Sequence, residues 1–137
     1  MAIRVDIVSA VEAIWSGEAE MLFAPASMGE IGVVRGHAPL MTRMKPGDLR
    51  IKLADGSLKH IYVSGGLLEV QPDLVTVLSD TAIRAETLDE GAILEAKTKA
   101  EEAMKGSVDK LEYDRLELQL VELMAQLATL RRIREGK

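Results

Sequence analysis

The stretch Leu49-Arg50-Ile51-Lys52-Leu53-Ala54-Asp55-Gly56-Ser57-Leu58-Lys59-His60-Ile61-Tyr62-Val63 decides the first half of the fold. Leu49, Ile51 and Leu53 alternate with Arg50 and Lys52, the period of a strand with one buried and one wet face. A second apolar run, Leu58 to Val63, follows at once, and Asp55-Gly56 lies between the two. Asp-Gly accepts the positive φ that a tight hairpin demands, so the stretch reads as two antiparallel strands around a turn.

The same grammar extends outward on both sides. Ile3, Val5 and Ile7 alternate with Arg4 and Asp6, and short apolar runs recur at Met21 to Ala24, Ile31 to Val34, Leu67 to Val70 and Leu74 to Leu78. All four prolines, Pro25, Pro39, Pro46 and Pro72, and eight of the eleven glycines punctuate this half. Punctuation that frequent between short strands is the spacing of an all-β sandwich or barrel. The domain is placed at residues 1–86.

Around Thr87 the period changes. Thr87 followed by Glu90 has the spacing of a capping box, hydroxyl to one amide and carboxylate back to the other, which predicts a helix from Leu88. Ile93, Ala96, Ala100 and Ala103 then recur at three and four, Glu95–Lys99 and Glu101–Lys105 form i,i+4 pairs, and Gly106 supplies a stop. A second helix, starting near Asp109, sets Tyr113, Leu116, Leu120, Leu123, Leu127 and Leu130 in one seam and ends in Arg131, Arg132 and Arg134, cations at the negative end of the helix dipole.

The connection Gly106-Ser107-Val108 is so short that the helices must be antiparallel neighbours, a hairpin over 87–137. An alanine stripe buries little area, and Leu111, Leu118, Val121 and Ala125 still need cover, so the hairpin requires a third surface, either the β-domain or another protein. The fold class is therefore α+β, an N-terminal antiparallel β-sandwich followed by a C-terminal antiparallel two-helix hairpin.

Composition narrows the functions open to such a chain. Its 137 residues are 47% hydrophobic, enough to bury a core. The net charge is −5, from 17 basic and 22 acidic residues, and no basic cluster is dense enough to track a phosphate backbone, so nucleic acid is not an expected partner. The lack of cysteine excludes disulfides, thiolate metal sites and a cysteine nucleophile. Met1 to Asp6 alternates charged and apolar residues, unlike a secretory or transit leader, and no run approaches the ~18 apolar residues of a membrane span. Membrane association is expected only through a partner.

Candidate chemistry is sparse. His37 and His60 lack neighbours at ligand spacing, so structural roles are favoured over metal ligation. Ser64-Gly65-Gly66 lacks both the Walker lysine and the nucleophile-elbow spacing and reads as a strand-end turn. Asp89 and Glu90 read as dipole-favoured helix-start residues. Met28, Met41 and Met44 read as packing residues, except that Met28, in the turn Ser27-Met28-Gly29-Glu30, should be exposed.

Five segments in order resemble the F-type ATP synthase epsilon subunit family. They are Gly29-Glu30-Ile31-Gly32, Gly36-His37-Ala38-Pro39-Leu40, Ile61-Tyr62-Val63-Ser64-Gly65-Gly66, Glu69-Val70-Gln71-Pro72 and Val75-Thr76-Val77-Leu78-Ser79-Asp80-Thr81-Ala82-Ile83-Arg84. The resemblance implies a non-catalytic central-stalk subunit, with no cofactor, that couples rotor rotation to ATP synthesis and proton transport. Its sandwich docks on the gamma subunit and the membrane rotor ring, and Ser27, Met28, Glu30 and His37 fall in the contacting segments. Where relatives often carry a second acidic residue this chain has Met28, which counts against one salt bridge.

The resemblance further implies that the hairpin is a regulatory arm. Folded down it packs on the sandwich; extended it enters the catalytic alpha/beta hexamer and blocks ATP hydrolysis. A second helix of about 25 residues would reach roughly 37 Å, with Arg131, Arg132 and Arg134 at its leading end, where they are expected to dock on an acidic segment of the hexamer. Some relatives bind ATP through a Leu/Ile-Asp-x-x-Arg-Ala motif and arginines on the second helix. Here Leu88-Asp89-Glu90-Gly91-Ala92-Ile93 has Ala92 at the arginine position, and Glu122 and Gln126 stand at the other two, so the nucleotide site looks dismantled. The implied location is peripheral, on the cytoplasmic face of a bacterial inner membrane. Two rivals are weighed against this reading: an independent nucleotide sensor, and a generic β-sandwich adaptor with a helical client-binding arm.

Overall fold

The computed structural model describes residues 2–107 and 109–136. Ten strands precede two helices: β1 Ile3–Ser9, β2 Ala13–Ala19, β3 Met21–Ala26, β4 Gly29–Val33, β5 Leu40–Met44, β6 Gly47–Lys52, β7 Leu58–Val63, β8 Gly66–Val70, β9 Leu74–Ser79, β10 Ala82–Arg84, α1 Glu90–Gly106 and α2 Lys110–Arg134. The alternating apolar residues turn inward as the period requires. Ile3, Val5 and Ile7 from β1 meet Leu22, Leu49, Ile51, Ile61, Val63, Leu68 and Val77 in one fully buried cluster. Each such side chain contributes about 1.5–3 kcal/mol relative to exposure.

Hydrogen bonding runs in the order β10-β7-β6-β3-β5-β8-β9-β1-β2, with β4 on β3. β3 and β5 share the single pair Ala26↔Met44, and there the sheet folds over so that its two halves enclose the core. Every pairing is antiparallel except β1 with β9, which run parallel in the register Val5↔Val75 and Ile7↔Val77. β2, β5 and β10, for which the sequence has no clean alternation, are held by their neighbours; β2 pairs with β1 from Ile3↔Ala19 to Val8↔Ala13.

The β6–β7 hairpin forms in the register Leu49↔Ile61 and Ile51↔Lys59. Its turn is wider than an Asp-Gly pair alone. The Leu53 amide donates to Ser57 O at 2.9 Å, and within that loop Gly56 alone among the described loop residues has positive φ, +87°. Asp55 instead uses its carboxylate to accept from the Ser57 amide at 2.9 Å and the Ser57 hydroxyl at 2.6 Å, an Asx-type turn.

The capping box is not the observed helix start. Ala85–Thr87 form a 3-10 turn in which the Thr87 hydroxyl donates to Arg84 O at 2.8 Å. Leu88 is extended, and the Asp89 carboxylate caps the helix by accepting from the Ala92 amide at 3.2 Å, so α1 begins two residues later than expected. A carboxylate next to the helix start outcompetes a hydroxyl two residues back because it adds charge against the dipole. At the other end Gly106 is still helical and Ser107 takes the cap. The expected connection includes Val108, which lies outside the described residues. Asp109 caps α2 by accepting from the Leu111 amide at 2.9 Å.

α1 packs antiparallel on α2, and α2 lies on the outer faces of β6 and β7. Ile93 and Ala100 of α1 and Leu123 and Thr129 of α2 are buried, while Ala103 and Tyr113, placed in the seams by periodicity, are exposed. The third surface that the hairpin requires is thus the sandwich. That seat changes the reading of β6 and β7: the face expected to be wet is roofed by α2, and Asp48 and Tyr62 are buried.

Candidate functional site

The register Asp48↔Tyr62 and Arg50↔His60 puts four polar side chains on one outer patch of β6–β7, directly under α2. The carboxylate of Asp48 accepts from His60 Nδ1 at 2.9 Å, with both side chains almost fully enclosed. Burial pushes the Asp48 carboxyl above the usual range, offset in part by His60, Arg132 and Arg50. His60 is thus held against Asp48 on the covered face of the sheet. Beside the pair, Arg50 stacks over the Phe23 ring at 4.4 Å and donates to Glu30 on β4.

The end of α2 closes over this patch. Arg132 Nη1 donates to Glu30 Oε2 at 3.2 Å and lies 3.9 Å from Asp48 Oδ2. Arg134 donates to Glu90 in the first turn of α1. The Arg131 side chain is exposed and makes no ion pair among the described residues. Glu30 and Arg132, assigned from sequence to two different docking surfaces, are thus bonded to each other. Asp48, Arg50 and His60 complete the network and were not singled out together from sequence; the signal available was their shared face in the β6–β7 register.

The remaining candidates sit elsewhere. Ser27 and Met28 form the tip of the β3–β4 hairpin, closed by Ala26↔Gly29, and Met28 is 97% exposed, as the turn implies. His37 follows the opposite end of β4 in a loop where its Nδ1 lies 2.6 Å from Ala38 O, so it does not share that tip. Ala92 is exposed on α1. Glu122 and Gln126 are half-buried against Tyr62, whose phenol burial and the Glu122 charge push up to about 12. Among the described residues the Tyr62 hydroxyl has no partner at full bonding distance, and Gln126 is the side chain near enough to pull its pKa partly back down.

A second exposed feature lies on the other half of the sheet. Met41, Leu67 and Leu78 are exposed large apolar residues, and the register Arg43↔Leu67↔Leu78↔Val8 lines up three apolar side chains across neighbouring strands. Among the described residues no group of His, Asp and Glu is placed to hold a metal. Among the described residues no helix is long and apolar enough to cross a membrane.

Comparisons with known proteins agree with this architecture. The family model described as the ATP synthase, Delta/Epsilon chain, beta-sandwich domain matches residues 2–85. The ATP synthase epsilon chain of Nitrosococcus oceani is 53% identical over 98% of this chain and 96% of its own length, and that of Nitrosomonas eutropha is 53% identical over 98% and 96%. Among solved structures, a chain of the Euglena gracilis mitochondrial ATP synthase OSCP/F1/c-ring assembly superposes with a TM-score of 0.84 at 23% identity, covering 94% of this chain and 81% of its own. A chain of the Tetrahymena thermophila mitochondrial ATP synthase central stalk/c-ring superposes with 0.59 at 10% identity, covering 93% and 96%, so both likenesses speak to fold alone. A family model spanning all ten described strands and half-identical relatives along nearly the full length lead to one conclusion: the chain belongs to the ATP synthase epsilon chain family.

Proposed function

We propose that this non-catalytic stalk subunit transmits rotation through its sandwich and restrains ATP hydrolysis through its helical hairpin. In this reading the sandwich docks on the gamma subunit and the rotor ring. The row of Leu67, Leu78 and Val8, with exposed Met41 on the neighbouring strand, supplies apolar area for a protein partner, and the Met28 tip reaches a second one. The hairpin is a two-position arm that exchanges its seat on β6–β7 for a place in the alpha/beta hexamer. Its site of action is the cytoplasmic face of a bacterial inner membrane, reached through partner subunits.

The observation that carries the arm is unused surface. α2 is seated on the sandwich, yet Leu111 and Leu118 remain 75% and 69% exposed, and Val121 and Met124 about half. Those side chains gain nothing in the folded position and would gain burial against a partner, so neither position dominates by many kcal/mol. The test exploits the lack of cysteine. Ala128 of α2 and Pro46 of the β5–β6 turn line one cleft, across which a cysteine pair is placed to lock the arm down; Gly47 is avoided, since a Cβ there meets Pro25 Cβ at 2.8 Å. The assembled enzyme with the lock oxidised should hydrolyse ATP faster than after reduction. Equal rates would sink the inhibitory role.

A further inference from the structure

Among the described residues the ion pairs between hairpin and sandwich gather at one point. Arg132 of α2 reaches Glu30 of β4 at 3.2 Å and Asp48 of β6 at 3.9 Å. Glu30 is held in turn by Arg50 of β6, and Asp48 by His60 of β7. Two acids therefore face two arginines and one histidine from four elements, with Asp48 only 4% exposed in its side chain. A buried carboxylate keeps its attraction for a cation that reaches it, because solvent screens it weakly. Two residues farther on, Arg134 ties the end of α2 to Glu90 at the start of α1. The first half of α2 carries the exposed Leu111 and Leu118 instead.

We propose that Arg132, gripping Glu30 and Asp48, is the clasp that keeps the arm folded on the sandwich, and that the three arginines at the tip have opposite roles. Arg132 holds the folded position and Arg134 keeps the two helices together. Arg131, exposed and without an ion pair among the described residues, is the cation free to meet a partner. This rests on the two-position reading above. Replacing the whole cluster would therefore merge opposing effects, whereas single replacements separate them.

The test is amide hydrogen exchange across residues 123–133 in the full, isolated chain. Arg132→Ala and Glu30→Gln should each speed exchange roughly three- to tenfold, the size expected for a network with one buried partner. Arg131→Ala, which changes the same helix to the same residue, should not. Raising salt from about 0.05 to about 0.5 M should speed exchange in the parent chain but not in Arg132→Ala. Equal protection in the Arg132→Ala and Arg131→Ala chains overturns the clasp, since both then report only helix propensity. Hydrolysis by the assembled enzyme separates the two readings: Arg132→Ala should be inhibited more than the parent and Arg131→Ala less. Faster exchange with unchanged hydrolysis supports the clasp and refutes the inhibitory arm.

Discussion

Replacing Tyr62 with phenylalanine should stabilise the protein near neutral pH and flatten its loss of stability in alkali. The ring is 1% exposed beneath α2, and among the described residues its hydroxyl has no partner at full bonding distance, Gln126 being the polar side chain near it. An unsatisfied buried hydroxyl costs about 1–3 kcal/mol, and phenylalanine keeps the ring, so a gain of about 1 kcal/mol is expected. The alkaline effect follows from the phenol, which burial first and the Glu122 charge second raise from 10.0 to about 12. A folded-state pKa above the unfolded one gives a contribution that is whole below the unfolded value and lost as pH rises through the folded value. Two pKa steps correspond to roughly 2–3 kcal/mol lost between about pH 10 and 12, and the phenylalanine ring of the Tyr62→Phe variant has no proton to lose. Urea unfolding at about pH 7 and about pH 11.5 measures both, with the slope checked for constancy. A variant destabilised by more than about 1 kcal/mol at neutral pH would mean that the hydroxyl is bonded across the seam to Gln126. An equal alkaline loss in both proteins would mean that α2 does not seal Tyr62 from solvent.

Two further outcomes follow from the organisation of the chain. A fragment of residues 1–86 should fold alone, with the far-ultraviolet circular dichroism of a β-protein, because the buried cluster lies wholly within the strands; uncovering the β6–β7 face should cost it about 1–3 kcal/mol. A random-coil spectrum would place the hairpin inside the folding unit. In calorimetry the full chain should bind no ATP at micromolar concentration, since Ala92, Glu122 and Gln126 provide none of the charge-assisted bonds, about 1.5–3 kcal/mol each, that arginines there would make. A micromolar dissociation constant would show that other residues supply them.

The two-part grammar is legible in the residues alone, because period is a local property. Ile3, Val5 and Ile7 can alternate only as a strand, Leu49 to Val63 can turn back only at Asp55-Gly56, and the 3.6-residue repeat after Asp89 can only be helical. The family motifs were legible for the same reason, each being a short contiguous run. Local reading failed where two local signals compete: Thr87 and Asp89 both offer a cap, and the nearer carboxylate prevailed. Which residues far apart in sequence meet was settled by packing in three dimensions. The parallel pairing of β1 with β9 joins segments some seventy residues apart, as Arg4↔Leu74 illustrates. The seat of α2 on β6–β7 turned a face patterned for water into a buried one, and the bond from Arg132 to Glu30 spans 102 residues. An exposed charge costs nothing to leave unpaired in the sequence pattern, so nothing local marks its partner; the choice is made when packing of Leu123 and its neighbours sets the helix end over the acids.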